Sequence, residues 1–127
     1  MAETVMDSSA VLASIRGEPG ADIVNAALAG SIISAINLAE VVSKLILGGV
    51  PDREATVIVR RLGVQFVDVD EEQALAASLI HATTRNAGIS ISDAFCLALG
   101  KLRGCSVMTA DRTWKTLDLG VEVTLIR

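Results

Sequence analysis

Short apolar, β-rich runs alternate along this chain with segments of helical period, and that alternation restricts the fold more than any other feature. Thr4 to Met6, Ser31 to Ser34, Gln65 to Val69, Ser106 to Met108 and Glu122 to Ile126 read as strands. Their length and β-branched content suit strands buried on both faces. Between them, Ser8 to Ile15, Ala21 to Ala29, Ile36 to Leu47, Asp52 to Leu62, Glu71 to Asn86 and Ile91 to Arg103 read as helices. Gly48 and Gly49, Gly88 and Gly104 mark helix ends, where a residue without Cβ can turn the chain. Strands alternating with helices predict an α/β fold: a three-layer sandwich whose central, mostly parallel five-stranded sheet is covered on both faces. A length of 127 residues predicts one domain over 1–127, since a chain of this size buries roughly two-thirds of its surface in one core.

Four acidic residues stand out against this frame. Asp7 ends TVMD, Glu40 lies in SAINLAEVV just after GSIIS, Asp93 follows GISIS, and Asp111 follows CSVMTA. A parallel sheet points its strand ends one way, so carboxylates far apart in sequence can meet at one edge, where open α/β sheets gather their ligands. Each acid also has a plainer explanation. Asp7 can cap the helix that begins SSAVLASI, Glu40 can pair with Lys44 four residues on, Asp93 can sit in the first turn of its helix after Ser90 or Ser92, and Asp111 can cap the turn around DRTW. The coincidence of four such acids favours a shared site.

Hard divalent cations take oxygen ligands, so a carboxylate quartet suits Mg²⁺ or Mn²⁺, whereas His and Cys would suit zinc. The chemistry that uses such a quartet is phosphodiester hydrolysis. The single His81 lies amid Leu79, Ile80 and Ala82, far in sequence from the acidic motifs, and reads as structural. Cys96 and Cys105 lack a C-x-x-C spacing and have apolar neighbours, which predicts two reduced, buried thiols and a cytoplasmic location. No apolar stretch reaches the ~20 residues of a membrane span, and the N-terminus does not resemble a secretory signal.

With 15 acids against 11 bases the formal charge is −4, which disfavours broad electrostatic capture of nucleic acid. Setting the four candidate acids aside, the remaining charges balance, and bound cations would cancel the site's own charge. Aromatic residues are 2% of the chain and Tyr is absent, so stacking platforms for bases are not evident. A phosphoacceptor receiver domain is the rival from another class. It would want an acidic pair after the first strand and a Lys near the last, whereas here Asp7 is followed by two serines and the last strand leads only to Arg127. Neither G-x-G-x-x-G nor a Walker loop is present.

VMDSSA, SAINLAEV, ISISDAFCLALG and VMTADRTW, in this order and spacing, resemble the acidic motifs of the PIN domain family, and within it the ribonuclease toxins of the VapC type. The resemblance spans nearly the whole chain. It implies an RNA-cleaving, metal-dependent toxin with Asp7, Glu40, Asp93 and Asp111 as its acidic quartet, Asp7 and Asp93 foremost as metal ligands. Asn37 and Thr109 match supporting polar positions, and Arg112 and Lys115 are candidate phosphate contacts beside Asp111. A homodimer and an antitoxin partner that silences the site are implied as well. A mean hydropathy of +0.53 agrees with apolar surface that a partner covers. A catalytically silent interaction domain of the same fold is the remaining alternative.

Overall fold

The computed structural model describes residues 3–127, in which five strands and six helices alternate. They are β1 (Thr4–Met6), α1 (Ser8–Arg16), α2 (Ala21–Ala27), β2 (Ile32–Ser34), α3 (Ala35–Leu47), α4 (Asp52–Arg60), β3 (Gln65–Val67), α5 (Glu71–Thr84), α6 (Ile91–Arg103), β4 (Ser106–Thr109) and β5 (Val123–Leu125). Two 3-10 turns, Arg85–Ala87 and Arg112–Thr116, complete the trace. The expected strands and helices all form, most of them with ends shifted by one or two residues. Helix α5 stops at Thr84 and its expected tail to Asn86 winds tighter as the 3-10 turn. The stretch around Trp114 is the other 3-10 turn, with Trp114 buried.

Every strand pair is parallel, in the order β3-β2-β1-β4-β5. The chain therefore winds outward from β1 to β3 on one side and resumes at β4 on the other, leaving a topological switch point between β1 and β4. A receiver domain has the order 2-1-3-4-5, so the sheet itself separates this fold from the rival reading.

Side chains alternate along each strand and supply two cores. Val5, Ile32, Val107 and Val123 pack with Ala77, Ile80, Leu97 and Trp114 under α5 and α6. Met6, Ile33 and Met108 pack with Val11, Val24, Val41, Leu45 and Val59 under α1 to α4. Apolar residues on both faces of β1, β2 and β4 explain their unbroken hydrophobic runs, while the edge strand β3 leaves Gln65 and Phe66 exposed and is not buried on both faces as expected.

Helix α6 matches its expected bounds because its ends are written locally. Ser90 and Asp93 form a reciprocal capping box at its start, and Gly104, at φ 64°, closes it. A Cβ on Gly100 would lie 2.5 Å from Val107 Cγ2, so glycine lets α6 lie directly on β4. Running antiparallel to the strands, α6 brings its N-terminus, and with it Asp93, to the edge where the strands end.

Candidate active site at the carboxyl edge of the sheet

Asp7 follows β1 directly, and its N–H donates to Met108 O at 2.9 Å, which pins its backbone beside β4 at the switch point. Its carboxylate is 4% exposed. Oδ2 accepts from Ser9 Oγ at 2.6 Å and from Thr109 Oγ1 at 2.8 Å. Oδ1 is buried with no hydrogen-bond partner. Asp7 does occupy the N-cap position of α1, but its side chain makes no capping bond. The capping explanation is thus corrected: the carboxylate accepts from the Ser9 and Thr109 hydroxyls rather than from a helix N–H, and leaves one oxygen bare.

Glu40 arrives by a different route. Ser34 ends β2 and caps α3, its hydroxyl accepting from Ile36 N at 3.2 Å, so the helix begins without a linking loop. Asn37 and Glu40 then lie three residues apart on one helix face. Asn37, fully buried, donates from Nδ2 to Glu40 Oε1 at 3.0 Å and to Ser92 O at 3.1 Å, joining α3 to α6. Glu40 Oε2 accepts from Ser92 Oγ at 3.0 Å. The expected surface pair with Lys44 is not made. The ion pairs among the described residues are Arg103–Glu3 at 3.2 Å and Arg127–Glu18 at 3.8 Å, because Glu40 finds closer donors on its inner side.

The apolar run GISIS before Asp93 is not a strand, so Asp93 does not come to the edge from a strand end as Asp7 does. Gly88 to Ser90 is a link, and Asp93 reaches the edge as the third residue of α6. Its Oδ2 accepts from Ser90 N at 3.0 Å, so its expected place in the first turn is also real. Asp111 is exposed and starts the second 3-10 turn, with Oδ1 accepting from Thr113 N at 3.0 Å and Thr113 Oγ1 at 2.7 Å. Thr109 is buried at the end of β4, donating to Asp7 and accepting from Asp111 N at 3.0 Å. Arg112 and Lys115 are exposed on that turn, and the Lys115 ammonium donates to Val123 O at 2.7 Å.

The electrostatics tie the acids together. Burial pushes the Asp7 carboxyl above its ordinary range against the pull of the Ser9 and Thr109 hydroxyls, and the charges of Asp93 and Glu40 push it further. Burial also raises Asp93, with Glu40 and Asp111 adding to it. Cys96, on α6 one turn beyond Asp93, is fully buried, and burial first, then the charges of Asp7, Asp93 and Glu40, hold its thiol well above the usual range. Both cysteines are free and buried. His81 lies half-buried in the last turn of α5 and is not among the groups acting on these acids. Among the described residues, no three His, Cys, Asp or Glu side chains close into a ready metal cage. The carboxylates feel one another's charge, yet hydroxyl and amide donors hold most of their oxygens. The donor set still suits a hard cation: all the acids offer oxygen, and Asp7 Oδ1 is a buried acceptor awaiting a positive partner.

The residue pattern of the PIN domain family matches residues 4–119, nearly the whole of this edge and the sheet beneath it. The chain belongs to the PIN domain family. A relative named Ribonuclease VapC, from Mycolicibacterium smegmatis, is 27% identical over 124 residues, covering 91% of this chain and 96% of its own. Among solved structures, DNA-bound VapBC from Salmonella typhimurium superposes with a TM-score of 0.77 at 18% identity, over 100% of both chains. A toxin-antitoxin complex from Klebsiella pneumoniae gives 0.75 at 16%, over 98% of both, and FitAcB from Neisseria gonorrhoeae gives 0.72 at 20%, over 97% of both. These structures share the fold of this chain.

Sequence reasoning singled out the four acids, Asn37 and Thr109 as candidates, but took Ser90 and Ser92 only as places for a helix to begin and gave Ser9 no role. The only local sign was a hydroxyl beside each acidic motif, at Ser9 and at Ser92, and hydroxyls there are equally common as caps.

Proposed function

We propose that this protein is a metal-dependent endoribonuclease, the toxin of a toxin-antitoxin pair, acting through one PIN-like domain over residues 1–127. The observation that carries this reading is the bare Oδ1 of Asp7, buried at the switch point of a PIN fold on a carboxyl that the charges of Asp93 and Glu40 act on. A polar atom so placed is costly unless a cation or a donor meets it. Asp7 and Asp93 would hold Mg²⁺ or Mn²⁺, with Glu40 and Asp111 completing the set directly or through water. Such an ion supplies an activated water and neutralises charge on the phosphoryl oxygens.

The chain's own residues prepare that site. Ser9 and Thr109 hold Asp7 by one oxygen and keep the other free. Asn37 ties Glu40 to the start of α6, which carries Asp93, so acids from two helices are set in one frame. Arg112 and Lys115, exposed on the turn after Asp111, would be the cations that meet the RNA backbone, Lys115 by giving up its bond to Val123 O. A similar structure described as a toxin-antitoxin complex supports an antitoxin protein as partner.

Incubating the pure protein with total RNA and Mg²⁺, then with chelator, tests the activity. Cleavage that appears with Mg²⁺ and stops with chelator is expected. Intact RNA in Mg²⁺ and in Mn²⁺, with the protein folded, would overturn the nuclease reading.

A further inference from the structure

Two serines that no acidic motif requires are wired into the site by hydrogen bonds whose direction can be deduced. The Ser92 hydroxyl has one proton, and it faces Glu40 Oε2 at 3.0 Å, an acceptor when ionised. Its 3.0 Å contact with Ser90 Oγ must then run from Ser90 to Ser92. Ser90 Oγ in turn accepts from Asp93 N at 3.1 Å. A one-way chain therefore leads from the backbone amide of Asp93, through Ser90 and Ser92, to the carboxylate of Glu40. The same logic holds across the sheet. Ala110 N donates to Ser9 Oγ at 3.0 Å, and Ser9 donates to Asp7 Oδ2 at 2.6 Å. Both chains start at a backbone amide beside or within one acidic segment and end on the carboxylate of another.

We infer that Ser9 and Ser92 are positioning residues, whose hydroxyls carry these chains to Asp7 and Glu40, fixing which oxygen Asp7 presents to a cation and where the Glu40 carboxylate is seated beside it. The inference rests on the metal-site reading above and deepens it. Ser9 occupies Asp7 Oδ2, so Oδ1 is the oxygen presented. Ser92 occupies Glu40 Oε2 while Asn37 occupies Oε1, so Glu40 stays seated between α3 and α6 rather than swinging to solvent. Hydrogen bonds in series strengthen one another, and each hydroxyl here both accepts and donates.

The test is Mn²⁺ affinity by calorimetry on wild type, Ser92→Ala, Ser9→Ala and Ser92→Thr, alongside RNA cleavage and urea midpoints in chelator. Groups that orient a ligand typically change metal affinity by about 10- to 100-fold when removed. Both alanine variants should weaken Mn²⁺ binding by that order, and lower kcat with KM for RNA unchanged. Ser92→Thr, which keeps the hydroxyl, should restore affinity. Ser78→Ala, which removes an exposed serine bonded only to Ala74 O on α5, should leave it unchanged. A serine that merely supports the fold would lower the urea midpoint and leave Mn²⁺ affinity as in wild type, and that result overturns the inference. Should Ser92→Ala not fold, Ser9→Ala carries the same decision. Wild-type protein that binds no Mn²⁺ would overturn the metal-site reading and this inference together, whereas tight wild-type binding with equal binding by both alanine variants overturns this inference alone.

Discussion

Replacing Asp7 by Asn should abolish RNA cleavage and at the same time make the metal-free protein more stable. In the wild type Asp7 is almost wholly buried, one of its oxygens has no partner, and the charges of Asp93 and Glu40 disfavour its ionised form. A buried polar atom without a partner costs about 1–3 kcal/mol. A like charge ~4 Å away would add on the order of 4 kcal/mol at an effective dielectric near 20, and less here because Asp93 and Glu40 are only half-buried. An amide keeps the shape and still accepts from Ser9 and Thr109 through its oxygen. Its NH₂ takes the place of the bare Oδ1 and faces the neighbouring carboxylates as a donor. A gain of about 1–2 kcal/mol follows, at the low end because the amide's own hydrogens need partners. With a urea slope of about 1–3 kcal/mol/M, the midpoint in chelator should rise by on the order of 0.5–1 M.

The sign with pH is fixed by the raised Asp7 pKa. A carboxyl that holds its proton more tightly when folded contributes stability that is fully present below its unfolded value, near 3.8, and is lost as pH rises through the folded value. The advantage of Asn over Asp should therefore vanish below about pH 3.8 and grow as pH rises through the folded value. Urea melts at several pH values in chelator, with cleavage assays in Mg²⁺, check both halves. A variant with a lower midpoint at neutral pH would refute the account of Asp7 as a strained, unpartnered charge. Wild-type cleavage by the variant would refute its place in the site.

Titrating Mn²⁺ into metal-stripped protein should raise the melting midpoint, since an ion at 100-fold excess over Kd adds about 2.7 kcal/mol; an unchanged midpoint would count heavily against the site. Gly100→Ala should lower stability by about 1–3 kcal/mol, because its Cβ would press on Val107 Cγ2 and lift α6 from β4; a wild-type urea midpoint would show that α6 is less tightly seated than the geometry says. Leu47, Leu75 and Leu79 are 83%, 65% and 67% exposed, and together with the mean hydropathy they support the proposed homodimer. Light scattering at micromolar concentration should return twice the 13.2 kDa of the chain, and a well-behaved monomer would remove the dimer.

The elements were legible in the sequence because their causes are local. Apolar runs of strand length, helical period and glycine stops lie within a few residues of what they specify, and α6 is placed to the residue by Ser90, Asp93 and Gly104. The four acids were legible as candidates because each lies near an apolar run, although for Asp93 that run proved to be a link and the first turn of a helix. Strand order, the exclusion of the receiver topology and the meeting of Asp7 with Asp93 and Glu40 were decided only by the tertiary structure. So was the choice among each acid's partners. Asp7 could have capped α1, but Thr109, 102 residues away, offers its hydroxyl where the sheet brings β1 and β4 together. Glu40 could have paired with Lys44, but Ser92, 52 residues away, lies on its buried side, and a hydrogen bond shielded from water outcompetes a solvated ion pair. Local sequence determines what a segment can become, while the partner of a polar group depends on which distant backbone folds against it and on how little water remains there.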